Sequence, residues 1–136
     1  MKLLKHALVL ILLLLPIFIF KIPNYVELND LAIIQGVGYS CEESQRALYL
    51  KEIIPIKGDA GLEYQYEYYK RQGKSFPTLI RKIEDNTKKK IYLSKVKFLV
   101  TNCDISKDVL EKLKKEDIKI YHVESNIEKK LKRKSS

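Results

Sequence analysis

The clearest structural signal in the chain is the stretch Leu62–Tyr69, with the sequence LEYQYEYY. Leu62 and the tyrosines at 64, 66 and 68 alternate with Glu63, Gln65 and Glu67, a period of two that predicts a β-strand. The tyrosine row predicts a half-buried sheet face whose hydroxyl groups reach water. The alternative is a platform on which bases or sugars stack.

Two further strands are predicted before this stretch. Asp30–Tyr39 contains an apolar run followed by Gly36-Val37-Gly38, and Arg46–Ile54 ends at a proline and a glycine-containing turn. The two glycines indicate a strand that bends or lets another chain segment approach closely. A phosphate-binding loop is the alternative, but it would need a third glycine and a following helix.

Helices and strands alternate after residue 74. Ser75-Phe76-Pro77 begins a helix whose apolar residues recur at helical spacing, and Ser106 caps a second helix. Ile91–Val100 and Ile118–Val123 are predicted strands. The order predicts an α/β (α+β) fold: a single mixed sheet of about five strands with two packing helices. Pairing is expected to be antiparallel in the first half and parallel in the second.

The N-terminus is strongly apolar. Lys2 and Lys5 precede the run Ala7–Phe20, and no Ala-x-Ala cleavage pattern follows. Residues 1–21 are therefore predicted to be an uncleaved signal-anchor, a transmembrane helix whose lysines stay in the cytoplasm. The folded domain, residues 22–124, would then lie on the non-cytoplasmic face. The alternative is a cytosolic protein with a buried N-terminal helix.

The chain carries a net charge of +9, and much of this excess lies near its C-terminus. Residues 125–136 are predicted to form a basic, disordered tail that is either solvated or a binding element for anionic partners. Its cations are Lys129, Lys130, Lys132, Arg133 and Lys134. A basic balance permits contact with anionic lipid, nucleic acid or cell-wall polymer and does not choose among them.

No arrangement of residues indicates catalysis. His122 has no cysteine, aspartate or histidine at metal-ligand spacing, and Glu42-Glu43 and the pair Glu63 and Glu67 are carboxylates expected on the surface. We therefore predict no catalytic residue, no metal ligand and no cofactor, and hence a protein that is not an enzyme.

The two cysteines follow predicted strands. Cys41 comes after the first strand, and Cys103 comes after Phe98–Val100. If those strands are parallel neighbours, both thiols reach the same edge of the sheet, and outside the cytoplasm a disulfide is permitted. The alternative is two separate thiols.

Residues 27–38, with the sequence ELNDLAIIQGVG, closely resemble the start of the C-subunit family of spore germinant receptors. The motif residues are Glu27, Leu28, Asn29, Asp30, Leu31, Ala32, Gly36 and Gly38. Lys90–Val100 is similar to a later strand of that family, and the resemblance covers Tyr25–Leu113. Three features depart from the family: the lipid-bearing cysteine is missing, Lys95 replaces a histidine, and the large C-terminal part of the family is absent.

The resemblance implies a role in spore germination at the spore inner membrane, beside membrane-spanning receptor subunits, with no known catalytic activity. We expect a membrane-anchored interaction domain whose partners are the membrane and other germinant-receptor subunits. No nucleic-acid partner is expected, and no small-molecule ligand is identifiable. The alternative function is an anchored binder of anionic polymers or lipid head groups through the basic tail.

Overall fold

The computed structural model describes residues 1–19, 28–113 and 117–134. Its helices are α1 (Lys2–Ile19), α2 (Phe76–Thr87), α3 (Lys107–Leu113) and α4 (Ile127–Arg133), with a short 3-10 helix at Leu28–Asp30. Its strands are β1 (Leu31–Cys41), β2 (Arg46–Gly58), β3 (Gly61–Gly73), β4 (Lys90–Tyr92), β5 (Phe98–Thr101) and β6 (Lys119–His122). The mixed α+β fold predicted from the sequence is confirmed, with one more strand than expected.

The strands form one sheet in the order β3-β2-β1-β5-β6, and β4 also pairs with β1. β1, β2 and β3 are antiparallel neighbours, whereas β4 and β5 run parallel to β1, and β6 runs parallel to β5. β1 is therefore the central strand. The two ends of the sheet differ: the chain enters β1 at Leu31, which we call the Leu31 end, and leaves β1 at Cys41.

The strand predicted over Ile91–Val100 is wrong as a continuous element. β4 pairs with Leu31–Ile33, and β5 pairs with Gly36–Tyr39 further along the same strand. Between them the chain turns inward, so that Val96 is fully buried, and the amide of Lys97 rejoins the sheet by donating to the carbonyl oxygen of Gln35. The burial of Val96 stabilises an interruption that strand pairing alone would not favour.

One face of the sheet, the α2–α3 face, carries the main hydrophobic core. α2 contributes Phe76, Leu79 and Ile83, and α3 contributes Val109 and Leu113. They pack on these sheet residues: Ala32, Ile34, Val37, Tyr39, Leu48, Leu50 and Leu99. A bulge between Ile34 and Gly36 shifts the alternation of β1, which is why even-numbered and then odd-numbered residues reach this core.

The opposite face, the α4 face, is covered by α4. Ile127 and Leu131 are buried there against Phe98 and Val100, with Tyr49, Tyr121 and Val123 around them. The prediction of a disordered tail over residues 125–136 is wrong for residues 127–133, which form this helix. Their two apolar side chains lie four residues apart, so both point towards the sheet, while the intervening cations face outward.

From Leu3 to Leu14, the apolar side chains of α1 are exposed rather than packed on the sheet. The leucines in this part of the helix are between 45% and 90% exposed, a range set by Leu14 and Leu3. Within residues 1–19, 28–113 and 117–134, no helix combines the length and hydropathy of a membrane span.

Candidate interaction surface

The β2–β3 hairpin extends beyond the rest of the sheet. β1 pairs with β2 only as far as Glu52, yet β2 and β3 continue to pair with each other down to Gly58 and Gly61. Within the described residues, no other strand pairs with β2 after Glu52. The distal part of the hairpin is therefore a two-stranded ribbon.

The two faces of this hairpin have different chemistry. Because paired residues share a face, the register places an aromatic and basic set on the side of the sheet that α4 covers. This tyrosine–lysine face consists of Lys51, Ile53, Pro55 and Lys57 on β2 and Leu62, Tyr64, Tyr66 and Tyr68 on β3. The other face contains Glu52, Glu63 and Glu67. Acidic and basic groups are thus separated across the ribbon.

The tyrosine–lysine face is largely open to solvent. Leu62 is 65% exposed and Tyr64 is 53% exposed, and Tyr66 and Tyr68 are also exposed. The row predicted to be a half-buried sheet face is therefore an exposed one, because no helix among the described residues extends far enough to cover it. The stacking alternative stays a prediction, since exposure alone does not identify what would stack there.

Lysines border the tyrosines on this face. The Nζ atom of Lys51 lies 4.5 Å from the ring centre of Tyr66, and Nζ of Lys132, from α4, lies 5.3 Å from that of Tyr68. Lys51 is buried beneath the end of α4, where its ammonium group donates to the carbonyl oxygen of Lys134. Burial lowers the pKa of Lys51 from its usual value. In cation–π contacts of this kind, the ammonium group is attracted to the face of the aromatic ring.

The acidic face holds a partly buried polar network. Glu52 accepts a hydrogen bond from the Tyr69 hydroxyl and forms a 3.0 Å ion pair with Lys89. The same hydroxyl lies 2.7 Å from Glu67. Burial, followed by these hydrogen bonds to carboxylates, raises the pKa of Tyr69 well above its usual value. Glu67 is thus engaged in a structural network that ties the hairpin to the end of α2.

A cleft of about 360 Å³ opens at the other end of the sheet, between the starts of α2 and α3. Its apolar walls are Tyr39, Phe76, Pro77 and Val109, and its polar lining consists of Arg46, Lys74, Ser75, Ser106, Asp108 and Lys112. The Arg46 guanidinium donates a 3.2 Å hydrogen bond to the Tyr39 hydroxyl. This lining suits an apolar or acidic side chain from another protein.

Cys41 and Cys103 form a disulfide, with Cα atoms 5.9 Å apart. They lie just beyond the ends of β1 and β5, which are parallel neighbours. Of the two alternatives that the sequence left open, the structure contains the bridge. Both residues are partly buried against the core of the α2–α3 face, next to the cleft.

Comparison with known proteins identifies the family. A model of the spore germination protein N-terminal domain matches residues 24–117, more than half of the chain. The chain belongs to the spore germination protein N-terminal domain family. This confirms the resemblance seen in the sequence and supports a role in spore germination. Neither the curated proteins nor the solved structures gave a match.

The motif residues of this spore germination domain lie at the Leu31 end and in β1. Glu27 falls outside the described residues, and Asn29 and Asp30 are exposed on the short 3-10 helix. Ala32 is buried in the core of the α2–α3 face. A Cβ atom on Gly36 would lie 2.5 Å from the Phe98 ring, and one on Gly38 would lie 2.7 Å from Ile127. The glycines therefore permit close approach, as predicted. The Phe98 side chain of β5 approaches Gly36, and the Ile127 side chain of α4 approaches Gly38.

The cations of the predicted tail line the outer surface of α4. Lys129, Lys132 and Arg133 are exposed, and Lys132 pairs with Glu128 at 2.8 Å. The Nζ atom of Lys134 lies 4.1 Å from the ring centre of Tyr121. Sequence reasoning missed the lysines of β2 as part of the tyrosine surface. The available signal was that Lys51 and Lys57 lie at every-second-residue spacing with Ile53 and Pro55, but the pairing with β3 was needed to place them beside the tyrosines.

Other candidate groups do not come together. Glu42 and Glu43 lie on the exposed turn after β1, whereas Glu63 and Glu67 lie on the hairpin. His122 is exposed at the end of β6. Among the described residues, no group of three or more histidine, cysteine or acidic side chains is placed to hold a metal ion.

Proposed function

We propose that this chain acts in spore germination as a non-enzymatic interaction domain that is held at the spore membrane and contacts other germinant-receptor subunits. The observation that carries the proposal is the family match over residues 24–117. The matched residues include every strand except β6, together with α2 and α3, and α4 follows them and packs on the opposite face of the sheet.

The membrane location is supported by α1. Its leucines are exposed over several turns, and a continuous exposed apolar surface of this kind is a typical site of membrane or protein contact. Lys2 and Lys5 at its start would remain in the cytoplasm, so that the domain lies on the opposite face. We propose that α1, rather than a lipid chain, associates with the bilayer.

A non-enzymatic role is consistent with how the carboxylates are used. Glu52 and Glu67 accept hydrogen bonds from Tyr69 and pair with Lys89, with side-chain N–O distances of 3.0 and 3.8 Å. They stabilise the hairpin and do not face the cleft. The cleft is lined by apolar side chains, two serines, three cations and one carboxylate, Asp108, a mixture suited to binding another protein.

The test is recovery of partner subunits from spores. A tagged full-length chain, extracted from sporulating cells in mild detergent, should sediment with membranes and co-purify with other receptor subunits. Replacing Leu10 and Leu13 of α1 by lysine should release the protein from membranes, because two charges in an apolar helix are costly to insert. A soluble protein with no receptor subunit attached would contradict the proposal.

Charge reversal at the cleft tests where the subunits bind. Lys74→Glu with Lys112→Glu should reduce the recovery of subunits without changing membrane sedimentation, because both side chains are exposed on the cleft wall. Lys107→Glu is the matched control, an exposed lysine at the start of α3 outside the cleft lining. Equal losses in both proteins would show a general charge effect.

A second candidate function is binding of anionic polymers by α4. It is favoured by the exposed cations Lys129, Lys132 and Arg133 along one side of the helix. Because α4 is part of the fold, charge reversal at Lys129 and Arg133 is a better test than deletion. Binding to teichoic acid should fall steeply with salt and weaken further in the variant. Salt-insensitive binding would exclude this function.

A further inference from the structure

We propose that the tyrosine–lysine face of the β2–β3 hairpin lies against the surface of an anionic lipid bilayer. The inference deepens the membrane location proposed above and rests on it. It assigns to the folded domain a second contact with the membrane, separate from α1, and it predicts how the domain is oriented.

The first argument is position. β1 begins at Leu31, and β2 runs antiparallel to it and passes the last β1–β2 pair, Ile34 with Glu52, by six residues, 53–58. At 3.3 Å per residue this part of the hairpin is about 20 Å long. β1 itself continues for three residues from Ile34 to Leu31, about 10 Å, so the hairpin turn lies about 10 Å beyond Leu31. The hairpin therefore projects from the Leu31 end.

The second argument is reach. Eight residues, 20–27, separate α1 from the short 3-10 helix, and a segment of that length spans at most about 29 Å. If α1 lies in the membrane, the Leu31 end of the sheet is held within that distance of it. A projecting hairpin at this end is the part of the fold best placed to meet the lipid surface.

The third argument is chemistry. Tyrosine and lysine are the side chains that suit the boundary between lipid and water, because each combines an apolar body with a polar or charged tip. The exposed Leu62, Tyr64 and Tyr66 lie in one line, with Lys57 paired opposite Leu62. The eight residues of the tyrosine–lysine face include no acidic residue. Such a surface complements a negatively charged bilayer.

The fourth argument is the distribution of charge along the sheet. Exposed lysines lie at or just before the starts of β4 and β6: Lys88, Lys90 and Lys119. They outnumber the exposed Asp30 and Asp117, which precede β1 and β6. Exposed carboxylates follow the ends of β1, β5 and β6: Glu42, Asp104 and Glu124. The excess of lysines at the Leu31 end favours its contact with anionic lipid, which is the same orientation as that of the hairpin.

An acidic protein partner could also meet an aromatic and basic face. The face, however, is a ribbon without a pocket, whereas the cleft that would hold a partner's side chain lies between α2 and α3 at the opposite end of the sheet. A ribbon face on which Leu62, Tyr64 and Tyr66 are all exposed matches a planar surface better than a shaped one. We therefore assign the lipid surface to the hairpin.

The chain contains no tryptophan, so a single introduced tryptophan reports on its own surroundings. We would reconstitute full-length Tyr64→Trp into vesicles of phosphatidylcholine with phosphatidylglycerol, and measure its emission with and without brominated lipids. Glu43→Trp, exposed at the opposite end of the sheet, is the matched control. The hairpin tryptophan should shift to shorter wavelength and be quenched by brominated lipid, whereas the control should show neither effect.

Charge reversal then tests the attraction. A lysine near an anionic surface contributes about 1 kcal/mol, roughly a fivefold change in contact. In the tryptophan reporter protein, Lys57→Glu should therefore weaken quenching, and raised salt should do the same. Lys107→Glu, at the opposite end of the sheet, should leave quenching unchanged. Circular dichroism of each variant establishes that the fold is retained.

Flotation of the vesicles separates the possible failures. Protein that floats with an unquenched, unshifted tryptophan at position 64 would overturn the hairpin contact and leave the membrane location standing. Protein that does not float would overturn the membrane location itself. A tryptophan that shifts only when other receptor subunits are added would assign the face to a protein partner and overturn the lipid contact.

Discussion

One face of the sheet is covered by two helices and the other by one short helix, and the two layers reach close packing with different residues. α2 and α3 bury five apolar side chains on the α2–α3 face, including Phe76, Leu79 and Ile83. α4 buries only Ile127 and Leu131. The second layer is nevertheless closely packed, because β1 has glycines at positions 36 and 38 beneath it, and Phe98 fills the space above Gly36.

The comparison shows two ways of reaching close packing. The 12-residue α2 and the 7-residue α3 together supply the apolar area of one face, at about 25 cal/mol for each Å² removed from water. A short helix supplies little area, so the strand below must lack side chains for the contact to form. The substitutions below test this difference, beginning with the one expected to have the largest effect.

Removing the disulfide should weaken the α2–α3 face most. Cys41→Ser with Cys103→Ser frees a loop whose ends are 62 residues apart, and the chain-entropy relation gives a loss of about 4 kcal/mol in the free energy of unfolding. Urea unfolding of the oxidised protein and the variant measures it. Reduced wild-type protein is the control and should match the variant. A loss below about 1 kcal/mol would mean that this relation does not describe the protein.

Leu131→Ala should destabilise the fold by about 3 kcal/mol, because it leaves a cavity beside Phe98 in a layer with few apolar groups. The result would show that residues 127–133 contribute to stability as a core element. Arg133→Ala, an exposed change on the same helix, should alter the free energy of unfolding by less than about 0.5 kcal/mol. Equal small effects would place α4 outside the cooperative fold.

Gly36→Ala should cost about 2 kcal/mol through overpacking, because the new methyl group would lie 2.5 Å from the Phe98 ring and 3.1 Å from Leu131. Gly58→Ala is the control, since its new methyl group would meet only the flexible side chain of Glu63. Thermal unfolding compares the two proteins. A Gly36→Ala protein as stable as the Gly58→Ala protein would show that the α4 layer accommodates the added methyl group without loss of stability.

Tyr69→Phe should cost about 1.5 kcal/mol at neutral pH, because Glu52 and Glu67 lose a hydrogen bond to their carboxylates. The pKa of Tyr69 is raised in the folded protein, so the stability it contributes is fully present below its ordinary value of 10.0. That contribution is lost as pH rises above this value. The difference between wild-type and Tyr69→Phe unfolding free energies should therefore shrink above pH 10.

The lowered pKa of Lys51 changes the free energy of unfolding in the opposite direction as pH rises. It is present in both the wild-type and the Tyr69→Phe protein. Its ordinary value is 10.5, so the penalty of burying its charge diminishes as pH rises towards that value. Subtracting the two pH profiles removes this effect. A difference that stays constant from neutral pH to pH 11 would contradict the assignment of the raised pKa to Tyr69.

The parts of the fold that the sequence predicts well are those with long, regular patterns. The alternation of Leu62–Tyr69 and the helical spacing of Phe76, Leu79 and Ile83 each repeat over several residues, so the strand and the helix were identified. α4 has only two apolar residues among cations, which is also typical of disorder. Its stability comes from contacts with Phe98 and Val100, which are distant in the sequence.

The candidate surface could be predicted only in part, because its exposure also depends on contacts between distant parts of the sequence. The tyrosines share a face, as the period of two requires, but their exposure depends on how far β2 and β3 outrun β1. That length difference is a property of three paired strands. The break between β4 and β5 could not be predicted either, because the burial of Val96 depends on the core in which it packs.

The disulfide between Cys41 and Cys103 has a consequence for proteolysis. It closes a covalent ring that contains β2, β3, α2, β4 and β5, and the exposed hairpin turn at Asp59-Ala60 lies on that ring. A single cut at the turn would leave the two fragments joined through sulfur as well as through the sheet. Such a nicked domain would keep its full mass on a gel without reductant and separate into two bands with it. In an oxidising compartment that contains proteases, the projecting hairpin could be cleaved once without releasing any part of the domain.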